Sequence, residues 1–268
     1  MALITTLWVL TALAAMVAPL AVGARQNGLR TLRAIEDVKL RAAIDAALAR
    51  ALAEIDAGRP ALGRERRWRL GDVELRYGVS GESGRVDLNA ASPEVLDALL
   101  AAHGLEGSRA GELRDRLLAR RDRGEPRSAA DEMARERSDP AVGGPLRHPS
   151  ELRPVAAATN AFDAALYERL WNDLTVWTAA PSPVPRLATD RLRERLAASG
   201  GGPGTATNDR APVEIGDADP AGVYRIDIRA ELPAGAARRT LVVVAKEEDG
   251  WRTREWMTPL AFEDGRDE

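Results

Sequence analysis

The sequence predicts an α+β protein: a long N-terminal helix packed on an antiparallel sheet, with a large all-helical domain inserted into that sheet. Three observations predict it. Residues 2–57 read as one helix, apolar in its first half and amphipathic in its second. Alternating strand patterns occupy 67–79 and 224–257. The stretch between them, 85–200, is helical in character. Strands at both ends of a helical block imply one sheet carrying an insertion, with the sheet on the amphipathic half of the long helix.

Composition narrows the function. The chain has 268 residues, 45% hydrophobic and 29% charged, which is globular rather than disordered. Lys and Arg number 38 against 41 Asp and Glu, so the formal charge is −3 and a basic nucleic-acid-coating protein is disfavoured. Cysteine is absent, which excludes disulfides, thiolate zinc sites and a cysteine nucleophile. The two histidines, His103 and His148, exclude a His-rich metal centre and leave a Ser-His-Asp triad only two bases. With six Trp and two Phe, the core rests on Ala, Leu and Val.

Residues 2–24 carry no charge and are long enough, at about 1.5 Å per residue, to cross a ~30 Å hydrocarbon core. The stretch is too long for a signal-peptide apolar region and has no basic n-region. Pro19 should kink it or mark a melted turn. From Arg25 to Ala57 the only Gly or Pro is Gly28. Leu29, Leu32, Ile35, Val38, Ile44, Leu48, Leu52 and Ile55 recur near helical spacing among charged residues, and Gly58-Arg59-Pro60 ends the pattern. The result is one rod of roughly 55 residues, about 80 Å long. An ordinary signal anchor with a juxtamembrane helix would give the same pattern. Arg25, Arg30 and Arg33 follow the span, so the positive-inside rule taken alone would put the bulk of the chain in the cytoplasm. Large domains translocate largely regardless of charge, which makes that rule indecisive here.

Trp68 and Leu70, a Gly71-Asp72 turn, then Val73, Leu75, Tyr77 and Val79 spell a hairpin. Val86–Glu94 is a helix start: Ser92 suits the N-cap, Pro93 the first helical position, and Glu94 the positive dipole end. Further helices are expected near 109–121, 129–135, 150–155, 162–174 and 189–198. Gly200–Gly204 opens a flexible loop. Tyr224, Ile226, Ile228 and Ala230 alternate with polar residues. Leu241–Ala245 reads as a strand covered on both faces, Glu248-Asp249-Gly250 as a turn, and Trp251–Met257 as the last strand. The acidic tail 263–268 is expected to fray.

Several segments, in this order, resemble the general secretion pathway protein K family, the largest minor pseudopilins of type II secretion. Ala2-Leu-Ile-Thr-Thr-Leu-Trp-Val-Leu looks like the mature N-terminus. Gly84-Arg-Val-Asp-Leu-Asn-Ala-Ala-Ser-Pro-Glu-Val-Leu96 is similar to the segment opening that family's inserted helical domain. Ser150-Glu-Leu-Arg153, Ala165-Leu-Tyr-Glu-Arg-Leu170 and Leu174-Thr-Val-Trp177 resemble its later part. The resemblance implies a type IV pilin-like body over 25–84 and 215–268. It also implies an inserted SAM-like helical domain over 85–200, a flexible loop over 200–214 and a transmembrane segment over 1–24.

The function implied is that of a minor pseudopilin at the tip of a short pseudopilus, starting or capping filament assembly for export of folded proteins across the outer membrane. The partners implied are the other minor pseudopilins of the tip, the inner-membrane assembly platform, and exported cargo or the outer-membrane channel. No nucleic acid and no enzymatic activity are expected. The chain would be single-pass in the inner membrane with its bulk periplasmic. Filament-building relatives usually carry Glu at mature position 5, where it neutralises a neighbour's N-terminal amine in an apolar setting. This chain has Thr5, and a tip subunit with nothing above it needs no such charge. A hydroxyl tolerated in a membrane helix is the plainer account of Thr5.

There are departures from the family pattern. Prepilins carry a basic leader; none precedes Met1, which makes Met1 the candidate mature N-terminus or a misassigned start. An Asn-Pro-Asn-Thr-Ala-like helix start gives way here to Ala180–Ala188. Some members bind calcium through an acidic loop, for which Asp122, Glu125, Asp131 and Glu132 are the matching oxygen ligands. Arginines interleave them and calcium wants six to eight oxygens, so a solvated charged loop is preferred and no cofactor is assigned.

The main alternative is a membrane-anchored helix–hairpin–helix DNA-binding protein of a competence-type system. Val86–Ser92 resembles the start of such modules. Gly104-Leu-Glu-Gly107 is one residue too long for their phosphate-binding hairpin and carries an acid at its tip. Arg109, Arg114, Arg116, Arg120, Arg121 and Arg123 could attract DNA, or form a solvated helix face with Glu112 and Asp115.

Overall fold

The computed structural model describes residues 2–60, 62–122, 144–157, 164–199 and 218–257, without the side chains of 2–5, 9–25 and 164. Helix α1 spans Ala2–Asp56 and stays helical through Pro19, so no melted turn forms there. Among the described residues no helix is long and apolar enough to cross a membrane. The span expected over 1–24 falls mostly on side chains outside them, as do the helix expected at 129–135, the loop at 200–214 and the acidic tail.

Strands β1 (Glu65–Leu70) and β2 (Val73–Gly81) form the expected hairpin, its turn made possible by Gly71 at φ 60°. Strands β5 (Val223–Glu231), β6 (Ala237–Glu247) and β7 (Gly250–Met257) follow the insertion. The order β1-β2-β5-β6-β7 is antiparallel throughout, so the chain leaves the sheet after β2 and re-enters it beside β2. β7 carries a bulge beside Val243 and Val244, and both edge strands carry charged residues that discourage further pairing.

The second half of α1 lies on one face of this sheet. Leu40, Ala43, Ile44, Ala47, Ala51 and Ile55 are buried against Leu75, Tyr77, Ile226, Ile228 and Val242. Three alanines on the contact stripe let the helix approach closely, and the large residues come from the strands. Each buried Leu or Ile is worth about 1.5–3 kcal/mol relative to exposure. Of the expected apolar stripe, Ile44 and Ile55 are buried and Leu48 and Leu52 partly buried against the sheet, while Leu40, Ala43, Ala47 and Ala51, outside that stripe, complete the contact. Leu29, Leu32, Ile35 and Val38 are 49–65% exposed, because the helix runs past the end of the sheet.

Between β2 and β5 lies the insertion. It contains β3 (Val86–Asp87), α2 (Pro93–Ala102), α3 (Ser108–Arg121), α4 (Leu152–Ala157), α5 (Ala164–Trp171), β4 (Leu174–Thr175) and α6 (Asp190–Ala198). It has its own core, in which Leu96, Leu99, Leu113, Leu152, Leu170, Leu174 and Leu192 are fully enclosed. The helix expected over 162–174 stops at Trp171, because Leu174 and Thr175 pair in parallel with Val86 and Asp87. Ser92 caps α2 and Thr189 caps α6, each accepting a backbone N–H at 3.4 Å. A small third cluster joins insertion to sheet: Trp177 packs on Val223, Leu241, Val243 and Ala245. The β-branched run of β6 is therefore covered on both faces, by α1 on one and by the insertion on the other.

Candidate functional site: the junction of insertion and sheet

The segment Gly84–Leu96 is built around polar groups that fasten one loop to another. Asp87 Oδ1 accepts the Asn89 N–H at 2.8 Å. Its Oδ2 accepts the N–H groups of Thr178 and Ala179, both at 2.9 Å, and the Thr178 hydroxyl at 3.1 Å. Ala179 is held at φ 51°, a left-handed conformation that costs a non-glycine residue about 1–2 kcal/mol. Asn89 exchanges two hydrogen bonds with Leu146, at 2.7 and 2.8 Å.

Beside this clasp sits a buried ionic cluster. Arg225 of β5 bonds Glu82 through Nε at 2.5 Å and Nη2 at 3.2 Å, with both residues at 3% exposure or less. The same guanidinium donates to the carbonyls of Trp171 and Leu174, so one side chain of the sheet ties down α5 and β4 of the insertion. Arg85 lies 3.4 Å from Glu82 and donates to the Gly81 carbonyl. Burial alone would raise the Glu82 carboxyl, but Arg225, then Arg85 and a hydrogen bond with Thr175, hold it below the ordinary glutamate value. Burial and the neighbouring Arg225 bring Arg85 down to about 10. Asp219 accepts the Ser83 N–H at 2.8 Å and its hydroxyl at 2.7 Å. The backbone here is too close for side chains: a Cβ on Gly84 would stand 2.1 Å from the Leu187 carbonyl oxygen.

Both histidines are structural. His103 Nε2 pairs with Asp173 at 2.9 Å, and the other carboxylate oxygen accepts the Thr189 hydroxyl at 2.8 Å, which pins the end of α2 to the start of α6. His148 caps the turn before α4: its Nδ1 accepts the Ser150 N–H while Glu151 accepts the His148 N–H. An accepting Nδ1 leaves the proton on Nε2, which stands 3.2 Å from Glu255 of β7. His148 Nδ1 also lies 2.5 Å from the Ser150 hydroxyl, in the exposed turn that it caps.

The other residues singled out in the sequence fall as follows. Met1 lies outside the described residues, and Thr5 is on α1 without a described side chain. Asp122 is exposed at the end of α3, 3.7 Å from Arg121, while Glu125, Asp131 and Glu132 lie outside the described residues. Among the described residues no group of three or more acidic or histidine side chains could hold a metal ion. Four of the five arginines of α3 are engaged with the protein; the fifth, Arg109, is exposed, and Arg123 lies outside the described residues. Arg114 pairs with Asp97 and Asp115, Arg116 with Glu112, and buried Arg120 with Glu151; Arg121 donates to the Ala91 carbonyl. Glu106, between Gly104 and Gly107, pairs with Arg195 at 3.3 Å. Sequence reading missed the Glu82–Arg225 pair. An Arg at an alternating strand position reads as solvent-facing, and only the insertion packed over it makes it buried.

No family model matches the sequence, and no curated relative does. A solved structure matches the fold. It is a chain of the GspK-GspI-GspJ complex from the enterotoxigenic Escherichia coli Type 2 Secretion System, with TM-score 0.61 and 15% identity, over 87% of this chain and 100% of that one. At that identity the likeness is one of fold. A pilin-like long helix on an antiparallel sheet, with a helical domain inserted between β2 and β5, is the architecture of this chain. At the junction, buried Arg225 binds the insertion to the body, and buried Asp87 binds the insertion to itself.

Proposed function

We propose that the chain is a minor pseudopilin that sits at the tip of a type II secretion pseudopilus and initiates or caps its assembly. The observation carrying this reading is the sheet–insertion–sheet order behind a long N-terminal helix, in a fold matched over 87% of this chain and 100% of the solved one. The insertion is then the bulky cap, residues 85–200, and the body is 25–84 with 215–268. Residues 1–24 anchor the chain in the inner membrane with its bulk periplasmic. The exposed Leu29, Leu32, Ile35 and Val38, beyond the reach of the sheet, pack against helices of the other minor pseudopilins. Thr5 suits the topmost subunit, which has no amine above it to neutralise.

The test is deletion of the gene in its own host, with extracellular enzyme activity and DNA uptake measured on one strain. Exported enzymes trapped in the periplasm with uptake intact is the expected result. Lost uptake with normal secretion would replace this reading with the helix–hairpin–helix one. Complementation with Thr5→Glu is expected to restore secretion, because the tip role rests on the bulk of the cap.

A further inference from the structure

Among the described residues, the insertion covers only part of the outer sheet face, the one turned away from α1. On the remainder, Arg67 of β1 stands opposite Arg76 of β2, Arg76 opposite Arg229 of β5, and Arg229 opposite Arg239 of β6. Strand alternation puts all four on the outer face, since their neighbours Trp68, Tyr77, Ile228 and Thr240 are the residues turned toward α1 or enclosed. Like charges directly opposite one another destabilise a sheet, so packing gives no reason for such a row. Carboxylates relieve it: Glu65 lies 3.0 Å from Arg67, Glu74 3.1 Å from Arg76 and Asp227 2.5 Å from Arg239. Among the described residues, with Arg64 and Arg69, the face holds six arginines against the carboxylates of Glu65, Glu74, Asp227 and Glu231, a local positive excess on a chain whose formal charge is −3. In the adjoining row Gly78 has no side chain, and a trough of about 320 Å³ opens there beside Arg76 and Arg229.

We propose that this row is a docking surface for an acidic helix of a protein partner, laid across the strands. Neighbouring strands lie about 4.8 Å apart, so the four arginines span about 14 Å. A helix with Glu or Asp at i, i+4, i+7 and i+11 presents a carboxylate about every 5.4 Å, one per arginine. An extended segment repeats on one face at roughly 6.7 Å and falls out of step. A continuous phosphate backbone would meet Glu65, Asp227, Glu74 and Glu231 on either side of the row. This surface stands independently of the pseudopilin reading.

The test uses the full chain in detergent micelles and a fluorescent designed helical peptide with Glu at those four positions, beside the same peptide with Gln. The Glu peptide binds at least about tenfold more tightly than the Gln peptide, and loses affinity as salt rises. Arg76→Gln with Arg229→Gln weakens it by about tenfold or more. Arg76→Lys with Arg229→Lys falls between, because Lys keeps the charge and loses the planar fork. Equal binding of the two peptides to the wild-type chain overturns the proposal, with no variant needed. Binding of phosphatidylglycerol vesicles as tight as that of the Glu peptide, lost in the same Gln variant, also overturns it and makes the face a lipid-headgroup patch.

Discussion

Arg225 and Arg229 stand on the same face of the same strand, and one is enclosed while the other is open to solvent. Two strand positions of identical type thus serve opposite ends of the outer sheet face. At the Arg225 end the insertion closes over the sheet, and Glu82 at the exit of β2 together with two carbonyls of the insertion takes four hydrogen bonds from the guanidinium. At the Arg229 end the side chain is exposed and joins a row of like charges. The difference teaches that burial here is decided by where the insertion lands, and that charge is tolerated at either end for different reasons. Inside, a bidentate pair offsets desolvation; outside, water and nearby carboxylates do.

The sharpest way to break this contrast is Arg225→Met. It leaves Glu82 charged, buried and without its main partner, which costs about 3–5 kcal/mol, read as a fall in the urea midpoint at unchanged slope. Replacing both members, Glu82→Leu with Arg225→Met, recovers most of that loss. A double variant no more stable than the single one would mean that Arg225 acts mainly through the carbonyls of Trp171 and Leu174. Next in size is Gly84→Ala. Its Cβ would meet the Leu187 carbonyl oxygen at 2.1 Å, and overpacking of this kind costs about 1–3 kcal/mol; thermal unfolding reads it.

Acid sharpens the comparison further. Because the folded carboxyl of Glu82 is held below its unfolded value, its contribution is present above an unfolded value of about 4.3 and is lost as pH falls through the folded one. Stability measured from neutral pH down to pH 3 should therefore fall more steeply for the wild type than for the Glu82→Leu, Arg225→Met pair. Parallel curves would show that Glu82 is not held low. The smallest effect is expected at the open end. Arg229→Gln changes stability by no more than about 0.5 kcal/mol, and the direction expected is a slight gain from breaking the like-charge row. A loss comparable to that of Arg225→Met would erase the distinction between the two ends.

Much of the fold was legible because its signals are local. The near-helical spacing of Ile44, Leu48, Leu52 and Ile55, the Gly71-Asp72 turn, and the Ser92-Pro93-Glu94 helix start each depend on a few neighbouring residues. The end of the helix near Leu174 was misread because Leu174 and Thr175 belong to a two-residue strand whose partner, Val86–Asp87, is 88 positions away. Asp87 and Asn89 were visible as part of a helix start. That they hold Thr178, Ala179 and Leu146 was not, since hydrogen bonds between distant loops leave no periodic trace.

The sequence by itself determined the long helix, the β1–β2 hairpin, the capped start of α2 and the order of the large elements, because helix and strand periodicity and capping are written within a turn or two of chain. Only the tertiary structure decided which charges became interior. The desolvation of Glu82 and Arg225, the position of the Arg67–Arg76–Arg229–Arg239 row outside the insertion's cover, and the exposure of Leu29 through Val38 all depend on how far the sheet and the insertion reach. That reach is set by long-range packing, which no window of neighbouring residues contains.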